Sequence, residues 1–153
     1  MALAVEVDDV RADDVRQLLE EHLTFARAVT PPGHVHALDV DGLDGEGTTL
    51  HAARRDGKLL GICALRELDP YHGEIKSMHV RRGDRGSGTG RALVDHVLAG
   101  ARRRSYRRVS LETGTYDAFA PARMLYERMG FRPCEPFAGY ADNPLSVCMT
   151  IVL

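Results

Sequence analysis

Between Arg85 and Gly90 the chain reads Arg-Gly-Ser-Gly-Thr-Gly, with further arginines at Arg81, Arg82 and Arg91. Glycines at alternate positions let the main chain approach an anion closely and adopt positive φ, and arginines add charge-assisted contacts. The chemistry on offer is phosphate binding. Two well-known phosphate loops do not fit. The pattern G-x-x-x-x-G-K-[ST] is begun by Gly83 and Gly88, but Thr89-Gly90 stands where Lys-[ST] is required. The dinucleotide pattern G-x-G-x-x-G fails at its last position, where Arg91 or Leu93 replaces the third glycine. On these residues alone a glycine-rich surface turn stays open beside an anion seat.

Other reactive side chains are less patterned. Cys63, Cys134 and Cys148 are odd in number and lack CxxC spacing, so they read as reduced packing residues and not as a disulfide framework or zinc site. With no histidine partner evident, none is expected to be a nucleophile. His34, His36, His51 and His72 show no metal-ligand spacing with nearby acids, and no metal is expected.

The elements around the loop are legible from periodicity. A half-buried strand is expected at residues 3–7 (LAVEV), then a helix through DDVRQLLEEHLTFARAV with Val15, Leu18, Leu19, Leu23 and Phe25 on its apolar stripe. TPPGHVHALDVDGLDGEG reads as an irregular connection with room for a short helical turn. TTLHAARR, KLLGICALREL and GEIKSMHV are strand-like runs separated by short turn signals, which implies an antiparallel meander. The glycine loop follows, then an amphipathic helix with Leu93, Val94, Val97, Leu98 and Ala101 in one stripe. RVSLETG is a strand, and Pro121 opens a helix that runs to Met129 and stops at Gly130. FRPCEPF and LSVCMTIVL complete the chain as strands. The expected fold class is mixed α/β in one domain over residues 1–153.

Composition narrows the partners. Of 153 residues, 44% are hydrophobic and 27% charged, as in an ordinary globular protein. A formal net charge of −2 argues against a nucleic-acid partner held by a basic surface. Apolar runs such as LLGICAL are far shorter than the roughly 20 residues that span a bilayer, and the N-terminus lacks a secretory pattern. No membrane association and a cytoplasmic location are expected.

Placed between a strand and an amphipathic helix, the loop Arg85-Gly86-Ser87-Gly88-Thr89-Gly90 resembles the R-x-x-G-x-G motif of the GNAT superfamily of N-acetyltransferases, in its small single-domain bacterial form. The strand EIKSMHV and the later ARMLYERMGF, similar to the family pattern A-x-x-L-Y-x-x-x-G-F, extend the resemblance over nearly the whole chain. It implies a central mixed, mostly antiparallel sheet flanked by helices. It also implies acetyl-CoA as cofactor, with coenzyme A as product. The pyrophosphate would lie on Arg85, Gly86, Ser87, Gly88, Thr89, Gly90 and Arg91, and the pantetheine arm on Met78, His79 and Val80. One departure is Phe119, which stands where the family often has asparagine.

Acetyl transfer to an amine requires a group that takes a proton, a donor for the developing charge and a proton for the leaving thiolate. The resemblance implies Glu74 as base, with Glu112 on the neighbouring strand as the second candidate. It implies Tyr126 as general acid, a phenol that stays protonated at neutral pH. Phe137 and Tyr140, in the loop EPFAGYADNP, are candidate acceptor-wall residues. Glu67, Glu74, Glu112 and Asp117 together would make the acceptor side acidic. The function implied is direct transfer of an acetyl group to an amine of a small molecule or peptide, in a monomer or a homodimer. A non-catalytic module that senses acyl-CoA is the alternative.

Overall fold

The computed structural model describes residues 2–35 and 38–153, so the reading of His36 lies outside the described residues. In chain order the elements are β1 (Ala4–Asp8), α1 (Asp13–Val29), α2 (Val40–Leu43), β2 (Thr48–Arg55), β3 (Lys58–Asp69), β4 (His72–Val80), α3 (Thr89–Arg103), β5 (Arg108–Gly114), α4 (Ala120–Arg128), β6 (Arg132–Cys134) and β7 (Ser146–Val152). Short 3₁₀ turns at Arg82–Asp84 and Asp117–Phe119 precede α3 and α4. The strands form a seven-stranded sheet ordered β1-β2-β3-β4-β5-β7-β6. Every neighbouring pair is antiparallel except β4 and β5, which run parallel.

Helices cover both faces of this sheet. Along β3 the alternation of side chains sends Ile62 and Ala64 to a cluster with Val15, Leu18 and Leu19 of α1. Cys63 and Leu65 go to the opposite cluster, with Leu93, Val97 and Ala101 of α3 and with Phe131. Burial on both faces is why β3 reads as the unbroken apolar run LLGICAL. The start of α1 is pinned by Arg54 of β2, which donates to Asp8 of β1 at 2.7 Å and to Asp14 of α1 at 2.5 Å. Asp13 and Asp14 also suit the positive end of the helix.

Two expectations are corrected and one is made specific. Phe25 leaves the buried stripe of α1, where Ala26 takes its place, and turns to a cleft described below. The short helical turn expected within the irregular connection is α2, whose cap is the Asp39 side chain accepting from the Gly42 N–H at 2.9 Å. The strand expected over 131–137 shortens to β6, because Pro133 and Pro136 cannot donate to a ladder and the chain leaves the sheet after Cys134. Cys134 pairs opposite Cys148 in register, both as free thiols. No described helix is long and apolar enough to cross a membrane.

Candidate active site

The two parallel strands form a fork. β4 and β5 pair only at His72↔Arg108, Gly73↔Val109, Glu74↔Ser110 and Ile75↔Leu111. Beyond that point β4 stays on β3 as far as Val80, and β5 stays on β7 as far as Gly114. A bulge accompanies the parting. Ile62 pairs with His79 and Ala64 with Lys76, so that Cys63 faces two residues, Ser77 and Met78, and Ser77 takes φ +52°. Main-chain groups on the inner edges lose their strand partner here and face a cleft of about 650 Å³. Ser77 Oγ is buried there without a hydrogen-bond partner.

Expected cofactor residues line one side of this cleft: Met78, His79, Val80, Arg85, Gly86, Gly88, Gly90 and Arg91. Gly86 and Gly88 take φ +79° and +87°, values that an L side chain resists, although a Cβ would meet nothing at either. Gly88 caps α3 with no side-chain hydrogen bond, and no acid occupies the first turn. The N–H groups of that turn are therefore left for an outside acceptor. Gly90 serves space instead: a Cβ there would lie 3.0 Å from Leu125 and 3.1 Å from Met78. Ser87 and Thr89 do not line the cleft. Ser87 Oγ donates to the Asp84 carbonyl at 2.5 Å and lies 3.0 Å from Thr89 Oγ1, so the pair fastens the loop. Arg85 donates to the Val80 carbonyl at 3.2 Å, with its guanidinium 5.8 Å from the centre of the Phe25 ring.

The fork also separates titratable groups by face. Leu111 belongs to the cluster on the α3 side, so alternation along β5 sends Glu112 to the α1 side. Ile75 does the same for Lys76 on β4. Both Lys76 and Glu112 line the cleft. Burial pushes the Glu112 carboxyl up to about 7, with Lys76 opposing and Glu74 adding to the rise. Burial lowers Lys76 from the usual range, against the pull of Glu74 and Glu112.

Glu74 does not line the cleft. It is 2% exposed, accepts from the Tyr140 hydroxyl at 2.6 Å, and lies 3.8 Å from Lys76 Nζ, which in turn donates to that hydroxyl at 2.7 Å. Burial and the bond to Glu74 push the Tyr140 phenol well above its usual range. Phe137 packs edge-on to Tyr140 at 5.2 Å and is likewise outside the lining. Of the four acids expected to make the acceptor side acidic, Glu112 alone reaches the cleft. Glu67 accepts instead from Tyr106 at 3.0 Å, and Asp117 is exposed outside the lining.

Tyr126 enters the cleft from the opposite face. It is buried in the α3-side cluster, edge-on to Phe131 at 5.7 Å, and burial raises its phenol far above the ordinary range. Cys63 lies nearby with its thiol pushed up to about 12, too high for a neutral-pH thiolate.

Lys76, Ser77, His22 and Phe25 are cleft residues that no motif had singled out. A lysine two positions from Glu74 in a strand, and so on the same face as that acid, is the available signal for Lys76. Phe119 also lines the cleft, where its ring lies against Gly114 so closely that a Cβ there would be 2.3 Å away. That ring meets Phe25 at 5.5 Å. Among the described residues no three His, Cys, Asp or Glu side chains gather as a metal site.

A parallel pair that forks over a glycine loop at a helix N-terminus is the architecture of acyl-CoA N-acyltransferases. The acetyltransferase (GNAT) family model matches residues 12–131, and the chain belongs to that family. It is 42% identical over 146 residues to the uncharacterized N-acetyltransferase YsnE of Bacillus subtilis strain 168, covering 95% of this chain and 97% of the relative. Its fold is shared with a structure assigned as an acyl-CoA N-acyltransferase from Klebsiella pneumoniae, at TM-score 0.81 and 24% identity over 99% of this chain and 97% of the other. It is also shared with a GNAT family acetyltransferase from Elizabethkingia anophelis with acetyl-CoA bound, at TM-score 0.64 and 17% identity over 99% and 98%.

Proposed function

We propose that the protein is an N-acetyltransferase that uses acetyl-CoA and moves the acetyl group directly to an amine of a small molecule or peptide. The observation that carries this is the fork, which opens beside a loop fit for phosphate and brings Glu112 and Tyr126 to one cleft from opposite faces.

The residues present fit the cofactor. Gly86, Gly88 and the first N–H groups of α3 form an uncapped anion seat, with Arg85 and Arg91 beside it. Met78, His79 and Val80, on the edge that β4 loses from β5, offer main-chain partners to an amide-bearing arm, and the buried Ser77 Oγ is an unmet polar group there. When bound, acetyl-CoA supplies an acetyl group activated as a thioester.

Glu112 takes a proton from the acceptor ammonium, a task suited to a carboxyl raised to about 7. Glu74, first choice from motif position, is better read as the partner that orders Lys76 and Tyr140. Tyr126 keeps its proton at neutral pH and hands it to the departing sulfur. As the C–N bond forms and the C–S bond breaks, the nitrogen loses two protons. One reaches solvent through Glu112, and the other balances the proton given by Tyr126. Main-chain N–H groups of β4 beyond Ile75 are the available donors for charge developing on the carbonyl oxygen. A cytoplasmic setting, where the three free cysteines stay reduced, completes the proposal.

Calorimetry with acetyl-CoA, paired with thiol release across a panel of amines, tests it. Binding together with turnover of at least one amine is expected. Binding without turnover of any amine would leave only an acyl-CoA sensor, and no binding would remove the cofactor assignment as well.

A further inference from the structure

The chemical class of the acceptor is written in the charges and rings on the Glu112 side of the fork, given the acetyltransferase reading above. The charged groups there that are shielded from solvent are Glu74, Lys76 and Glu112; Arg66, opposite Glu74 on β3 and felt by Lys76, is exposed, so water screens its charge. With Glu112 ionised the shielded groups sum to one negative charge, where burial makes an uncompensated charge costly. One ammonium brings the set to neutrality. A second cation on the acceptor would meet Lys76, with no further lining acid at this end among the described residues. Asp84, the other acid on the lining, belongs to the phosphate loop. The Phe25 ring, which could seat a cation, already has the Arg85 guanidinium 5.8 Å from its centre. A carboxylate on the acceptor would face Glu112, while Lys76 is engaged by Tyr140 and Glu74.

Neutral rings make up much of the remaining wall. Phe25 packs against Phe119 at 5.5 Å and against His79 at 6.3 Å, and the His22 and His79 rings lie 5.1 Å apart. Burial lowers His22 to about 3 and His79 to about 4, so both imidazoles are uncharged at neutral pH. Gly114 sets the Phe119 ring against the end of β5, on the face that carries Glu112. An acceptor whose nitrogen reaches Glu112 therefore has its body among aromatic side chains.

We infer that the acceptor is a primary amine with a single positive charge, joined by a short chain to an aromatic or other apolar body and carrying no carboxylate. Polyamines, aminoglycosides and free amino acids are disfavoured by the Lys76–Glu112 pair, and small hydrophilic amines by the rings.

The test is thiol release at saturating acetyl-CoA with 2-phenylethylamine, phenylalanine, spermidine and an aminoglycoside as acceptors. The expected kcat/KM for 2-phenylethylamine is at least about tenfold above each of the others. Faster turnover of phenylalanine, spermidine or the aminoglycoside would overturn the inference and leave the acetyltransferase reading standing. No release with any amine would overturn that reading and the inference with it. Phe119→Ala gives a second readout. It should lower kcat/KM for 2-phenylethylamine about tenfold relative to ethylamine, a ratio indifferent to the fraction of folded enzyme. An unchanged ratio counts against the aromatic wall.

Discussion

Lys76 and Glu112 occupy the first positions beyond Ile75 and Leu111, the last residues that β4 and β5 pair, and their side chains leave the two strands on the same face. A cation and a carboxyl thus stand together at the point where the sheet opens. Burial lifts Glu112 to about 7, while Lys76 limits the rise.

A base must be deprotonated to act, so kcat/KM should fall as pH drops through about 7, about tenfold per unit below it. Glu112→Gln should lower the neutral-pH rate about 10²-fold and flatten that acid limb. Thiol-release profiles over about pH 5.5–9 check both effects. A variant with the wild-type profile would exclude Glu112 as the base.

The same carboxyl costs stability. Folded Glu112 keeps its proton up to about 7, whereas an unperturbed glutamate releases it near 4.5, so its contribution to folding is full below 4.5 and is lost as pH rises through 7. Glu112→Gln removes the pH-dependent loss. Thermal melts should show the variant gaining on the wild type at about pH 8 relative to their difference at about pH 4. A pH-independent difference would contradict the raised carboxyl.

Lys76→Met should move the acid limb of kcat/KM upward by about one pH unit, because the cation that favours ionised Glu112 is gone. Loss of the partner of buried Glu74 also weakens the fold, so Tyr140→Phe provides a milder variant. It deletes the hydroxyl between Lys76 and Glu74 and keeps the ring on Phe137. A change in that limb with a smaller loss of Tm than Lys76→Met shows is the expected result, and an unmoved limb in both variants would detach Lys76 from the base.

How far the sequence reaches can be judged on these same residues. The stripe Leu93–Ala101 and the alternating runs of the meander announce their elements, because their burial follows from local period alone. The glycine loop is legible for the same reason: φ above zero at Gly86 and Gly88 is a local demand. The fork is not, since it depends on where two strands separated by α3 cease to pair, and no period within either strand records that. Glu74 and Glu112 look alike as strand acids. Only the register, which stops one residue beyond Glu74 and one before Glu112, leaves the first bound to Tyr140 and opens the second to the cleft. Phe25 falls on the core stripe by spacing because it is apolar at nearly the right position, but a cleft wall asks for apolar residues too.

Tyr126→Phe should lower kcat about 10²-fold while leaving acetyl-CoA affinity nearly unchanged, because the ring and its packing on Phe131 are retained and only the proton donor is lost. Turnover assays with calorimetry on the same preparation separate the two quantities. An unaffected kcat would remove Tyr126 from proton transfer.

Gly88→Val places a branched side chain at φ +87°, which costs at least about 1–2 kcal/mol, and sets it at the N-terminus of α3. Strain alone can impair a protein, so the informative partner is Gly57→Val in the turn between β2 and β3, where φ is +78° and a Cβ likewise meets nothing. Both variants should lose comparable thermal stability. Only Gly88→Val should also weaken acetyl-CoA binding, by at least about tenfold in calorimetry, since it alone obstructs the N–H groups offered to phosphate. Equal affinities in the two variants would mean that the loop is a strained turn and not the pyrophosphate seat.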